Sequence, residues 1–347
     1  MASLRRWVFR IASVLAGIFI GALLVGFIYE QVGRANDARR LPPRVGRAID
    51  IGGRTINPYC SGSASPTVIL FAGGNGPGYA WGSVPMRLAQ FTRACWHDPA
   101  GEGWSDPPPS PRTSTTEVED LHAALTRAGI EPPYVLVGGS IGGDYARIYT
   151  RHYPQEVVGL VFVDSSHPDQ QEPPFYLGPF NQMSSRKRHV ICSMLPFMAR
   201  FGILRLIAGR VGERPGQDEV LARLMAQPTR EKVEAEQTCA ATNDGRFVPT
   251  TGSGNPEIDQ AARNAGSLGD RPLIVLTAGQ YWAPPGFEKE AAAYHEVWVH
   301  QLQASLAQLS TRGKQVVVDA PHDMSGAPDA VVNATREVVD SVRGTNK

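Results

Sequence analysis

The sequence predicts an α/β fold in which a mostly parallel sheet carries helices on both faces. Continuous apolar runs bounded by Gly, Pro or Asp are typical of strands buried on both faces, and they lie at residues 67–71, 134–137, 160–163, 273–276 and 316–318. Amphipathic helix patterns alternate with these runs, which indicates parallel strands joined by helical crossovers. In such a sheet, the groups that carry chemistry lie beyond the carboxyl ends of the strands.

The composition is that of an ordinary globular protein. The chain has 347 residues, of which 42% are hydrophobic, with 34 basic and 33 acidic residues. This length allows a sizeable core in one large domain or two smaller ones. Because the charges balance, the sequence does not indicate binding to polyanions, and we expect no nucleic-acid partner.

The N-terminal segment predicts a membrane anchor. Residues 11–29 contain no charged residue, and arginines stand on both sides of them. A helix of this length spans roughly 30 Å, the thickness of the hydrocarbon layer. A cleavable signal peptide is the alternative, but its apolar region is usually about 7 to 15 residues long. We therefore assign residues 1–30 to a single transmembrane helix and residues 31–47 to a polar linker.

The orientation of this helix rests on the length of its N-terminal tail. Arginines are similarly frequent on the two sides, so the positive-inside rule does not decide. A short N-terminal tail normally stays inside, which places the folded domain on the exported side, periplasmic or extracellular. The four cysteines could then form two disulfides, whereas a cytosolic domain would hold four free thiols.

The folded domain begins with a predicted β-hairpin. Residues 47–51 and 54–59 read as short strands separated by two glycines. Further along, Ser114 and Glu117 have the spacing of a capping box ahead of an amphipathic helix, and Gly129 stands where its C-terminal cap belongs. These signals predict a hairpin that is followed by alternating strands and helices.

Residues 168–269 interrupt the alternation of strands and helices. They contain no buried-strand run, only helix-like pieces. Unstructured connections beyond about 12 to 15 residues are uncommon, so we expect a separate helical cap over the strand ends. The core then consists of residues 48–167 and 270–347. Within the cap, the apolar residues 195–209 form the cap's own core, line an acyl pocket or dip into the membrane interface.

Ser140 is the candidate nucleophile. It lies in the motif GGSIGG, residues 138–143, between the apolar run 134–137 and a helix pattern. A G-x-S-x-G motif at a strand-to-helix turn presents the serine on a sharp bend, and its glycines prevent crowding of the strand and the helix. A glycine-rich turn without a catalytic role is the alternative interpretation.

His322 is the candidate base. A serine hydroxyl is a weak nucleophile on its own and needs a neighbouring base. His322 follows the last apolar run, residues 316–318, by four positions, which suits the chain order of serine, acid and histidine. The other seven histidines lie in helix patterns, in the cap or near other strand and helix ends, and they fit this role less well.

Several motifs, in this order, resemble those of the α/β-hydrolase superfamily. They are HDPAGEGWSD from residue 97, GGSIGG from 138, LVFVDSSHPDQ from 160, LIVLTAG from 273 and APHD from 320. Within the superfamily, the chain is similar to bacterial esterase-like members with a cap, over about residues 48–342. The resemblance implies that the backbone N–H groups of Gly74 and Ile141 form an oxyanion hole, with Asn75 as an alternative donor.

The resemblance leaves two positions open for the acid. In many members of the superfamily the acid follows the strand that corresponds to residues 273–276, but Gln280 stands near that place here. Asp164, at the end of the run 160–163, matches a position that some members use. We assign the acid to Asp164, with Glu288 as the alternative; a simple turn cap is the other interpretation of Asp164.

The resemblance also implies structural roles for other residues. Asp98 and Asp106 are expected to stabilise the turn after the fourth strand. The second and fourth strands are neighbours in this fold, which would allow disulfides between Cys60 and Cys95 and, within the cap, between Cys192 and Cys239.

The expected chemistry is acyl transfer to Ser140. A serine at this position excludes the aspartate-dependent dehalogenase and epoxide-hydrolase chemistry found on the same fold. We expect cleavage of a small or lipid-like ester, as in a carboxylesterase or lipase, through an acyl-enzyme. No cofactor or metal is expected, because zinc spacing, the Walker lysine and the full dinucleotide fingerprint are absent. An acyltransferase and a catalytically silent, membrane-anchored binding protein are the alternatives.

Overall fold

The computed structural model describes most of the chain. The described residues are 2–40, 42–74, 76–108, 113–170, 256–281 and 288–345, with shorter stretches at 190, 194, 197–208, 220–221, 240–241, 247–248, 283 and 286. Asn75, Cys192 and Cys239 lie outside the described residues, as does most of the range predicted as a cap.

Among the described residues, eight strands form one sheet, and two further strands form a separate pair. The strands are β1 (Ile49–Asp50), β2 (Thr55–Ser61), β3 (Thr67–Phe71), β4 (Arg93–Asp98), β5 (Tyr134–Gly139), β6 (Val157–Val163), β7 (Ala240–Ala241), β8 (Phe247–Val248), β9 (Leu273–Ala278) and β10 (Gly313–Val318). The sheet order is β1-β2-β4-β3-β5-β6-β9-β10. β1 and β2 are antiparallel, as the predicted hairpin requires; β2 and β4 are also antiparallel, and the other neighbours are parallel. The predicted fold class is therefore confirmed.

Helices cover both faces of this sheet. The α-helices of the described residues are α1 (Ala2–Arg40), α2 (Val84–Leu88), α3 (Ser114–Arg127), α4 (Ile141–His152), α5 (Ile203–Ala208), α6 (Pro256–Ala265), α7 (Glu288–Val297), α8 (Ala304–Ala307) and α9 (Pro328–Thr345). A 3₁₀ helix spans Gly78–Trp81 and a π-helical segment spans Trp298–Gln303. Buried residues of α2 and α9 pack on one face, and those of α3, α4, α6 and α8 on the other.

The central strands are buried on both faces, which explains their continuous apolar sequences. In β6, Val161 packs into the cluster with α9, while its neighbours Leu160 and Phe162 pack into the cluster with α4. Successive side chains of a strand point to opposite faces, so both faces need apolar residues when both are covered. Burying a side chain as large as Phe162 contributes about 1.5–3 kcal/mol.

The expectation of two buried faces is wrong for the last strand. Val316 and Val317 in β10 are 39% and 54% exposed. β10 is the edge strand of the sheet and pairs only with β9 among the described strands. An edge strand is flanked on one side only, so an apolar run there does not imply full burial.

The predicted capping box at the start of α3 is displaced by one residue. Thr113 is the N-cap, and its side chain accepts a hydrogen bond from the Thr116 N–H while the Thr116 side chain accepts one from the Thr113 N–H. Ser114 is the first helical residue and donates through its N–H and Oγ to Glu257. The carboxylate from α6 therefore satisfies an N-terminal donor of α3.

A disulfide joins two antiparallel neighbours of the sheet. Cys60 in β2 and Cys95 in β4 are directly opposite in the register and form a disulfide. This pair is the one that the resemblance implies. The other expected pair lies outside the described residues.

Asp98 anchors the loops around β4, as expected. Its buried carboxylate accepts hydrogen bonds from Asn57 Nδ2 at 2.9 Å, Gly78 N at 2.8 Å and Trp104 N at 3.0 Å. Burial raises the pKa of Asp98 to about 6, and the three donors oppose this effect. One side chain thus connects β2, the 3₁₀ helix and the turn after β4.

Two described parts of residues 168–269 pack in different places. In α6, Ile258 is buried in the cluster with α4, and Arg147 of α4 donates to the Ala262 carbonyl at 2.6 Å. Residues 197–208 instead contact α1. The Phe201 carbonyl oxygen approaches Gly26 so closely that a Cβ at Gly26 would lie 2.6 Å from it.

Replacing Asp98 with alanine is expected to destabilise the domain. The variant leaves three buried donors without acceptors, so the free energy of unfolding should fall by about 3 kcal/mol or more. Denaturant unfolding of the full chain in mild detergent measures this change. The matched control is Asp340→Ala, whose exposed carboxylate lies 3.9 Å from Arg343 and should matter by less than about 1 kcal/mol. Equal effects of the two variants would contradict the anchoring role.

Candidate active site

Ser140 lies on a strained turn between β5 and α4. Its backbone has φ 51° and ψ −126°, a region that L-residues rarely adopt. Hydrogen bonds hold this conformation: the Ser140 N–H donates to the Val163 carbonyl at 3.0 Å, and the Ser140 carbonyl accepts from the N–H of Gly143 and Ser166 at 3.0 and 2.9 Å. The turn therefore fixes Ser140 beside the carboxyl end of β6.

The glycines of the motif are required by close backbone approaches. A Cβ at Gly142 would lie 2.4 Å from the Phe71 carbonyl oxygen, and one at Gly138 would lie 2.5 Å from the Gly142 carbonyl oxygen. Heavy atoms of a real side chain essentially never come that close. This is the crowding of strand and helix that the sequence motif indicates.

Of the two expected oxyanion donors, Ile141 follows Ser140 directly and Gly74 follows Gly73, which lies against the serine. Ile141 is the first residue of α4, so its N–H has no intrahelical acceptor. Gly74, with φ +60°, lies in the loop after β3, and no acceptor for its N–H is found among the described residues. The preceding Gly73 lies against the serine, because a Cβ there would be 3.0 Å from Ser140 Cβ.

His322 and Asp164 meet at the carboxyl ends of the strands. His322 Nδ1 lies 2.6 Å from Asp164 Oδ2, although 158 residues separate the two in the chain. A carboxylate only accepts hydrogen bonds, so Nδ1 carries the proton and Nε2 keeps a lone pair. The His322 side chain is 59% exposed, whereas that of Asp164 is 4% exposed.

The second oxygen of Asp164 is also fully engaged. Oδ1 accepts hydrogen bonds from the Ala278 N–H and from Trp298 Nε1, both at 2.9 Å. The Asp164 backbone has φ 40°, and its N–H donates to the Leu276 carbonyl at 2.7 Å. The carboxylate is therefore held from two sides in a fixed orientation toward His322.

The alternative acid lies elsewhere. Glu288 is the first residue of α7, and its Oε1 accepts a hydrogen bond from the Gly286 N–H at 2.9 Å at an exposed position. Gln280, near the more usual position, donates through Nε2 to Asp319 Oδ1 at 2.9 Å. The structure thus brings Asp164, rather than Glu288, to His322.

Ser140 and His322 are linked through the backbone rather than directly. Among the described residues, Ser140 Oγ and His322 Nε2 share no hydrogen bond. Catalytic hydrogen bonds are often long without substrate and tighten in the substrate complex. The link runs through Val163 and Asp164, which bind the Ser140 N–H and the His322 ring respectively. In the described part of the chain, no three His, Cys, Asp or Glu side chains converge as metal ligands.

Sequence reasoning missed the donors behind Asp164. Trp298 is 8% exposed and lies in the π-helical segment, 134 residues from its partner. The Ala278 N–H is a backbone group without a sequence signal. A buried carboxylate requires donors, but only the structure shows which residues supply them.

The Asp164 contact raises the pKa of the His322 imidazole above its ordinary value of 6.5. The hydrogen bond to Asp164 contributes most, burial opposes it, and the charges of Asp164 and Asp323 add to the increase. As the pH falls, the ring therefore becomes protonated at a pH above 6.5, and the neutral form, which can act as a base, is lost.

Comparison with known proteins agrees with this architecture. A family model described as the alpha/beta hydrolase fold matches residues 66–188, which include Ser140 and Asp164. The uncharacterized protein YbdG of Bacillus subtilis (strain 168) is 27% identical over 170 residues, 48% of this chain and 52% of that protein. The probable transporter efuK of Hormonema carpetanum is 32% identical over 126 residues, 34% of this chain and 18% of that protein. The chain thus matches about half of one relative and less than a fifth of the other.

Solved structures show the same fold. The protein DBJA superimposes with a TM-score of 0.59 at 18% identity, covering 86% of this chain and 97% of that chain. A thermophilic esterase from Thermogutta terrifontis superimposes with a TM-score of 0.53 at 18% identity, covering 86% and 99%. The chain therefore has the α/β-hydrolase fold, the fold that the sequence resemblance implies.

Replacing Asp164 with asparagine is expected to lower the pKa of His322 toward 6.5 or below, because the main hydrogen bond and a full charge are lost. An NMR titration of the His322 ring measures this directly. Asp323→Asn is the control, since Asp323 contributes only a charge effect and should produce a smaller shift. If both variants titrate like the parent chain, the contact does not control the imidazole.

Proposed function

We propose that this hydrolase-fold protein is a serine hydrolase that cleaves a carboxylic ester through an acyl-enzyme. Ser140 is the nucleophile, His322 the base, and Asp164 the acid that orients His322. The contact of 2.6 Å between His322 Nδ1 and Asp164 Oδ2 carries the proposal, because it fixes the tautomer whose Nε2 can accept a proton. The strained turn at Ser140 supports the same assignment.

The reaction proceeds in two halves. Ser140 Oγ attacks the carbonyl carbon and passes its proton to His322 Nε2; the bond to the alcohol then breaks, and the alcohol oxygen takes this proton. Water next gives a proton to His322 Nε2 and attacks the acyl carbon, and Ser140 Oγ leaves with that proton. Asp164 stays ionised and stabilises the imidazolium that forms in each half.

The backbone N–H groups of Gly74 and Ile141 stabilise the oxyanion of the tetrahedral intermediate. Ile141 follows Ser140 at the start of α4, Gly74 lies next to Gly73 on the loop after β3, and among the described residues neither N–H is used in regular secondary structure. Donors that already point toward a developing charge act without reorganisation, and each is worth about 3–4 kcal/mol of barrier lowering.

The Ser140→Ala variant tests the nucleophile. We expect hydrolysis of a short p-nitrophenyl ester to fall by on the order of 10⁴-fold and covalent labelling by a fluorophosphonate probe to disappear. Mass spectrometry of the labelled parent chain should locate the adduct on Ser140. Ser267→Ala is the control, since that exposed serine donates to the Leu309 carbonyl far from the site. Labelling that persists in Ser140→Ala, or an unlabelled parent chain, would refute the proposal.

We also propose that α1 anchors the protein in a membrane. Leu4–Asn36 is long and apolar enough to span a bilayer, and none of its most apolar stretch is buried in the protein. Residues 197–208 contact the last part of the uncharged stretch at Gly26 and the charged residue just beyond it: Arg205 Nε lies 3.0 Å from Glu30 Oε2, and Glu30 is 5% exposed. A buried ion pair at this place joins α1 to the cap.

The position of residues 197–208 next to α1 supports a lipid-like ester as substrate. Phe197, Ile203 and Leu206 are 39%, 36% and 55% exposed beside α1. Apolar side chains next to the end of a membrane-spanning helix fit the boundary between headgroups and acyl chains. We propose that the apolar segment 197–208, within the range 168–269 predicted as a cap, admits acyl chains from this boundary.

The catalytic domain lies on the exported side in this proposal. The disulfide between Cys60 and Cys95 supports it, since disulfides persist in oxidising compartments and are rare in the cytosol. The short N-terminal tail of α1 favours the same orientation.

Replacing Ile203 and Leu206 together with serine tests the acyl-chain assignment. We expect kcat/KM for a p-nitrophenyl palmitate in phosphatidylcholine vesicles to fall about 10-fold or more, while the butyrate ester changes less than about 2-fold, because only the long chain loses apolar contacts. Val317→Ser, an exposed valine on β10 with 54% exposure, is the control and should change neither. An equal loss on both esters would exclude this role of the segment.

A further inference from the structure

The π-helical segment Trp298–Gln303 packs directly behind the acid. Its inward residues are almost fully buried: Trp298, Val299, Leu302 and Gln303 are 8%, 6%, 4% and 0% exposed. The segment follows α7 and leads into α8, so it interrupts an otherwise α-helical stretch. Such interruptions are rare and occur often at functional sites.

Both ends of the segment bind the residues that follow β6. Trp298 Nε1 donates to Asp164 Oδ1 at 2.9 Å, and Gln303 Nε2 donates to the Ser165 carbonyl at 2.6 Å. Ser165 Oγ in turn donates to the Ser140 carbonyl at 3.1 Å. The two side chains therefore hold the acid and, through Ser165, the turn that carries the serine.

The π-helical register allows this double contact. At about 100° per residue, positions five apart on an α-helix point roughly 140° away from each other. A π-helix closes its hydrogen bonds between positions five apart, so Trp298 and Gln303 lie above one another on one face. An α-helical register would turn one of them away from the end of β6.

The segment is itself fixed to the sheet. Gln315 Nε2 donates to the Val299 carbonyl at 2.8 Å and to Thr277 Oγ1 at 2.9 Å, which ties the segment to β9 and β10. Tyr294 stacks on Trp298 with ring centroids 6.0 Å apart. The donors thus stand on a rigid support rather than on a free loop.

We infer that Trp298 and Gln303 are positioning residues for the proposed hydrolase reaction, and that the π-helical segment exists to present both to the end of β6. Trp298 occupies Oδ1 together with the Ala278 N–H, which leaves Oδ2 directed at His322. Without the indole N–H, only the Ala278 N–H holds Oδ1, so the carboxylate is held less firmly and the orientation of His322 is less fixed. This inference rests on the proposed function for its kinetic consequences, but its structural part does not.

The test replaces the indole N–H while keeping the aromatic ring. In Trp298→Phe, we expect kcat for a short p-nitrophenyl ester to fall about 10–100-fold with KM unchanged, because misorientation of a catalytic group acts on the chemical step. The midpoint of the acid limb of the pH–rate profile should move down toward 6.5, the ordinary pKa of histidine, because the bond from His322 to Asp164 weakens.

Trp104→Phe is the matched control. Trp104 is also 8% exposed, and its Nε1 donates to the Pro42 carbonyl at 3.1 Å, away from Asp164. It should leave kcat and the pH profile unchanged. Gln303→Met keeps the volume of the side chain, removes the donor to Ser165 and should lower kcat several-fold with KM unchanged.

A second substitution separates orientation from packing. Benzothienylalanine at position 298, introduced by nonsense suppression, keeps the shape of the indole and replaces N–H with sulfur. It should reproduce the kinetic and pH effects of Trp298→Phe with an unchanged melting temperature. Parent-like kcat and pH profile in this variant would overturn the inference.

An NMR titration of His322 distinguishes the two possible failures. If the parent chain hydrolyses no ester and takes up no fluorophosphonate, the proposed function fails, yet the pKa of His322 should still fall in the position-298 variants. If the parent chain is active and this pKa does not move, the positioning role fails alone.

Discussion

A carboxylate taken out of water needs hydrogen-bond donors, and Asp164 obtains them from three separate parts of the chain. Ala278 ends β9, Trp298 opens the π-helical segment and His322 follows β10. Their positions depend on the parallel register of β6, β9 and β10. Ser140 is tied to the same place, since its N–H binds the last carbonyl of β6. The end of β6 therefore fixes the acid and the histidine through the Asp164 side chain, and Ser140 through the Val163 carbonyl.

The strands of the central sheet could be predicted because strands buried on both faces have continuous apolar sequences. β3, β5, β6 and β9 coincide with the apolar runs, and the glycines around Ser140 match real close contacts. The exposure of Val316 and Val317 could not be predicted from residues 316–318, since an edge strand can have the same apolar run as a central strand. At Ser114 the prediction is one residue off, because Thr113 caps the helix and the Ser114 N–H and Oγ instead donate to Glu257 from α6.

The identity of the acid, and of the residues that hold it, could be assigned only from the structure. Sequence order favoured Asp164 without excluding Glu288, and only the meeting of His322 with Asp164 in space separates them. Trp298 and Gln303 carry no helix-period signal, because they share a face only in a π-helical register. The ion pair between α1 and residues 197–208 likewise joins positions 175 residues apart. Contacts of this kind follow from tertiary packing and leave no trace in local patterns.

The position of His322 after the last strand has a consequence for the timing of synthesis. Ribosomes deliver α1 first and the segment beyond β10 much later, so a growing chain carries its serine well before it acquires an imidazole partner. In the proposed hydrolase, Ser140 therefore has no imidazole base until the segment beyond β10 has been synthesised.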